Sequence, residues 1–162
     1  MRKELDQQLL LDFFLTFSRF EYALKHSGLY QQRPGARIPY EATPDWDSFA
    51  VRLRGTFDPS RATELREAVD LFLLHPPFRE VVAAGGLGWD TTALPETLSE
   101  IECLLIYIRR VRNNLFHGGK FSEGQNFDAE RNTKLLSASL VILYECLNQD
   151  ANVKREYDAA IL

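Results

Sequence analysis

The sequence predicts an all-α domain built of helix on helix, and three observations carry that expectation. Apolar residues recur at i, i+3, i+4 spacing over three long segments, near 3–26, 94–116 and 128–147. Helix-opening and helix-ending residues bracket these segments: Ser27-Gly28 after the first, Leu94-Pro95-Glu96 before the second, Asp128 before the third. The alternating pattern of half-buried strands is nearly absent.

Taken in order, Leu5, Leu9, Phe13, Phe17, Phe20 and Leu24 give the first helix its apolar stripe. Gly28, Pro34, Gly35, Pro39 and Pro44 make 27–44 an irregular connection. A short helix is expected from Asp45 to Arg54. Asp58-Pro59-Ser60 should open another over about 60–75, stopped by His75-Pro76-Pro77. "PFREVVAAGG" (77–86) is read as a further turn or two of helix and "GGLGWD" (85–90) as a loop. That glycine cluster follows no predicted strand and precedes no P-loop lysine, so it is a poor phosphate cradle. The third major helix starts at Pro95 and continues to about Phe116. Gly118–Phe127 reads as a loop, and a weaker helical segment covers 150–160.

A length of 162 residues suits one domain with a real core, spanning 1–162. The net charge of −4 argues against a protein that coats nucleic acid non-specifically, while leaving room for a local basic site. Cys103 and Cys146 both fall in apolar helical patterns and read as reduced core residues. Two cysteines supply neither a zinc ribbon nor a disulfide framework. The apolar N-terminus carries Glu4, Asp6 and Asp12 and no small-residue cleavage site, so it is not read as a signal peptide. No stretch reaches membrane-spanning length, and a cytoplasmic protein is expected.

The stretch "VRNNLFHGGK", 111–120, concentrates the chemistry. At about 100° per residue, Ile101, Leu104, Leu105, Ile108, Val111 and Leu115 share one arc of roughly 120°. Arg112 falls inside that arc, and Asn113, His117 and Arg109 lie together beside it. A guanidinium on a packing face needs compensation. Three forms of it are open: an ion pair within the chain, for which Glu21 is placed at the edge of the first helix's stripe; a protein interface; or a site for an anion, which a planar five-donor fork suits. All three histidines end helices, at 26, 75 and 117, where a cation is favoured by the helix dipole. His117 differs in having Arg112 and Asn113 close before it. From Cys103 to Ser122 the chain carries Arg109, Arg110, Arg112 and Lys120 and no acid.

"RNNLFH", an Arg-Asn-x-x-x-His series at the end of the third major helix, resembles the R-x4–6-H motif of the HEPN superfamily. The first helix, "FFLTFSRFEYALKHSG", is similar to that of bacterial and plasmid-borne HEPN-like proteins. The resemblance implies a four- to five-helix bundle, here with an elaborated connection between the first and third major helices. It further implies a homodimer whose two motifs share one cleft. Active members are metal-independent endoribonucleases, many of them toxins or antiviral effectors. Carried onto this sequence, Arg112 would bind the scissile phosphate, His117 would handle protons, and Asn113 would position the phosphate or orient the histidine. Arg109, Asn114 and Lys120 are the expected substrate contacts, and Glu21 the structural support. RNA supplies its own 2′-hydroxyl nucleophile, so no cofactor or metal is expected. The partners expected are RNA, a second copy and an antitoxin or regulatory protein, with no membrane. Members silenced by a nucleotidyltransferase antitoxin often carry tyrosine two residues after the histidine. Gly119 stands there in this chain, which puts that partnership in doubt. The alternative is a non-catalytic HEPN-like dimer that binds RNA, a nucleotide or a protein. A plain interaction bundle with Arg112 paired to Glu21 is the third reading.

Overall fold

Asp6 fixes where the first helix begins. Its side chain accepts the amide hydrogens of Gln8 and Leu9 at 2.9 and 3.2 Å, and α1 runs Gln7–His26. Gly28 ends it at φ 83°, a conformation that side chains rarely adopt, and the Leu29 amide reaches back to the Leu24 carbonyl. The computed structural model describes residues 5–117 and 129–161. Five further helices follow among them: α2 (Trp46–Leu53), α3 (Thr63–Leu74), α4 (Glu100–Phe116), α5 (Ala129–Gln149) and α6 (Ala151–Ala159). The molecule is mostly helical, as the apolar spacing predicts.

Three expectations need correction. The segment read as helix and loop is a β-hairpin, with β1 (Arg79–Ala83) antiparallel to β2 (Gly86–Asp90). Val81-Val82 favours extended backbone, and Gly86 takes φ 114° where the hairpin closes. Val82 and Leu87 face each other across the strands and are both exposed, so no buried face imposes the alternation that sequence reading looks for. The helix expected over 60–75 is split: Asp58 caps a single 3-10 turn at Pro59–Arg61, Ala62 is extended, and α3 starts at Thr63. Pro95 opens only a turn. The later helix start is set by a capping box, in which Ser99 and Glu102 satisfy each other's amide hydrogens.

The core is one aromatic-rich cluster. Phe13, Phe17 and Phe20 of α1 meet Trp46 and Phe49 of α2, with Phe17 and Phe20 each stacked 5.2 Å from Trp46. Complete burial of Phe20, Phe49 and Phe72 contributes about 1.5–3 kcal/mol each. Helix α1 lies against α5 and α6, α3 along α5, and α2 against α4. Leu104, Leu105, Ile108 and Val111 of α4 are buried in this cluster, so its flank is covered from within the chain. Outside the helices, Arg54 grips Glu102 with two bonds of 2.9 and 2.6 Å, tying the end of α2 to the start of α4. Cys146 is buried and Cys103 half-buried, both as free thiols. No helix among the described residues is long and apolar enough to cross a membrane.

Candidate functional site

The last turn of α4 emerges from the core carrying the residues that the sequence singles out. Val111 is buried and Leu115 packs against the core, which fixes the helix's rotation. Arg112 is then half-buried at the core's edge, while Asn113, Phe116 and His117 are exposed. The helical ladder stacks His117 over Asn113: the His117 amide donates to the Asn113 carbonyl at 2.9 Å. As C-cap, His117 ends α4 just as His26 ends α1 and His75 caps α3.

The Arg112 guanidinium donates from Nη1 to Asn113 Oδ1 at 3.0 Å. Its carbon lies 4.9 Å from the centre of the Phe116 ring and 5.9 Å from that of Phe17. Among the described residues it has no carboxylate partner. The Glu21 pairing is overturned: Glu21 Oε1 accepts from Trp46 Nε1 at 3.3 Å, because a buried indole needs an acceptor. Aromatic rings and an amide oxygen stabilise Arg112 where a carboxylate was the simplest expectation.

The remaining expected residues separate. Arg109 is held by Asp47 of α2 at 2.8 Å, so it is neutralised by a fixed carboxylate. Asn114 points to the other side of α4 and donates to the Phe78 carbonyl at 3.0 Å, anchoring the root of the hairpin. Beside it a small cavity of about 30 Å³ is walled by Phe78, Trp89, Val111 and Leu136. Neither residue reaches the Arg112 side as a free donor. Lys120 and Gly119 lie outside the described residues. Arg112, Asn113 and His117 therefore form the site, without Arg109 or Asn114.

Sequence reading missed the aromatic surroundings. Phe14 lies off the α1 stripe and is 43% exposed, yet it meets Phe116 with ring centres 5.3 Å apart. A groove of about 450 Å³ runs beside the pair between Leu10, Leu11, Phe13, Phe14, Leu115 and Phe116. The only hint in the sequence was two phenylalanines placed beyond their helices' core faces. No group of three His, Cys, Asp or Glu side chains among the described residues is arranged to hold a metal.

These features define a predominantly helical domain with an unneutralised arginine and an exposed histidine on the final turn of its central helix. Comparison with protein-family models, curated proteins and solved structures finds no match.

Proposed function

We propose that this protein is a metal-independent endoribonuclease of HEPN type, a toxin or defence effector that cuts RNA in a cleft shared by two copies. The observation that carries the reading is Arg112: a guanidinium at the core's edge, bonded to Asn113, with no carboxylate among the described residues to neutralise it. Such a fork is pre-set for a phosphate. His117, exposed one turn beyond Asn113, can approach the same anion.

In this reading the RNA 2′-oxygen attacks the phosphorus and the bond to the 5′-oxygen breaks. One imidazole takes the 2′-proton and the other copy's imidazole delivers a proton to the leaving 5′-oxygen. Arg112 stabilises the charge that builds on the non-bridging oxygens. The products are a 2′,3′-cyclic phosphate and a 5′-hydroxyl. Because the flank of α4 is buried, the seam between copies would follow its outward stripe, through Ile106, Arg110, Asn113 and His117.

The second reading is a dimeric module that binds RNA, a nucleotide or a protein at this place without catalysis. The commitment of Arg109 to Asp47 and of Asn114 to Phe78 favours it, since fewer free donors surround the phosphate position. Incubating the purified protein with RNA in EDTA, beside Arg112→Ala, separates the two. Cleavage by the parent alone, with cyclic-phosphate ends and DNA left intact, is the expected result. Binding without cleavage selects the module. Metal-dependent cleavage, or 5′-phosphate ends, defeats the mechanism.

A further inference from the structure

The groove beside Arg112 combines two features that usually occur apart. Its wall carries two exposed rings, Phe14 and Phe116, and its edge carries a cation lying over one of them. One neighbour of Phe116 is the Arg112 guanidinium at 4.9 Å and another is Phe14 at 5.3 Å, so Phe116 links the charge to the outer ring. Phe14 is close to half exposed on a helix whose other phenylalanines, Phe13, Phe17 and Phe20, are buried. Apolar walls alone would fit many occupants. An unneutralised cation at the edge selects one that brings an anion and a flat apolar face together, and a nucleotide does both.

We infer that Phe14 is a stacking platform for an unpaired nucleobase, next to the phosphate held by Arg112, and that the preferred substrate is therefore single-stranded RNA. This inference rests on the nuclease or RNA-binding reading of the same site and assigns it a substrate class. A base inside a duplex is already stacked on both faces, whereas a splayed base presents its ring to an aromatic side chain. Sequence preference is weak on such a platform, because every base has a π-face. The phosphate supplies electrostatic affinity and the ring supplies the choice of strand state.

The test uses uncleavable 2′-O-methyl RNA 12-mers in EDTA, read by fluorescence anisotropy. They are offered as a single strand, as a duplex, and as a backbone of the same length lacking bases. The parent should bind the single strand most tightly. Phe14→Ala should weaken that binding by about 5- to 150-fold, the range for losing one stacked base, and leave the baseless backbone unaffected. Phe14→Trp should restore it and Phe14→Leu should not. Arg112→Ala should weaken single strand and baseless backbone alike. If Phe14→Ala binds the single strand as the parent does while Arg112→Ala does not, the platform is wrong and the site reading survives. If Phe14→Ala converts a dimer to a monomer in sedimentation, the groove is a seam between copies, and the platform is again overturned. A parent that binds none of the three oligonucleotides sinks both.

Discussion

Replacing Arg112 with alanine separates a charge kept for structure from a charge kept for a ligand, and the contacts give the magnitude. The folded chain would lose one hydrogen bond to Asn113 at 3.0 Å and ring contacts at 4.9 and 5.9 Å. A partly exposed cation–π contact is worth roughly 0.5–1 kcal/mol, and the bond to Asn113 adds little where water competes. The expected cost is therefore ~1 kcal/mol, or about 2–4 °C in Tm for a chain of this size. Removing one member of a buried ion pair would instead cost about 3–5 kcal/mol, roughly 6–20 °C. Differential scanning calorimetry of parent and Arg112→Ala distinguishes these ranges, with RNA cleavage measured on the same samples. A small Tm change with cleavage abolished is the expected pair of results. A fall in Tm above about 10 °C would show that the guanidinium is a structural group whose partner contacts have been misjudged. Unchanged cleavage would remove Arg112 from the site.

Two further predictions concern other residues. His117→Ala should lower cleavage by about 10²–10⁴-fold with the fold retained, whereas His26→Ala, whose ring stacks on Tyr22, and His75→Ala should be nearly silent; an equal loss from His26→Ala would move the site. Glu102→Gln should lower Tm by several degrees and flatten the acid limb of the stability profile. The carboxyl is held at about 2, below its ordinary 4.5, first by Arg54 and then by Ser99. A depressed folded value gives stability that is present above pH 4.5 and lost as pH falls through 4.5 toward 2. A variant with the parent's acid limb would show that this network does not couple to folding.

The helices were legible because their signals are local. Asp6, Asp45, Ser99 and Asp150 each stand one residue before a helix, and the apolar stripes of α1 and α4 fall on the faces that are buried. The hairpin was not legible. Its strands are five residues each with no buried face, and Trp89, which helps seat it, finds its wall only when α4 and α5 are in place. The Ser99–Glu102 pair is visible in the sequence as a capping box, yet Pro95 was the louder signal. The second hold on Glu102, from Arg54 on α2, is not visible at all.

By itself the sequence determined that Arg112, Asn113 and His117 sit on the last turn of one helix, because a period of 3.6 residues fixes which neighbours share a face. It also determined that Arg112 falls on the packing side of that helix. What neutralises or accompanies each charge was decided only by the tertiary structure. Asp47 reaches Arg109 across 62 positions of chain, Trp46 takes Glu21 away from Arg112, and Phe14 comes to Phe116 from the far end of the sequence. The physical reason is one of range. Helical periodicity is written in residues three and four apart, whereas a charge is satisfied by whichever donor, acceptor or ring the packing of distant helices brings within a few ångströms.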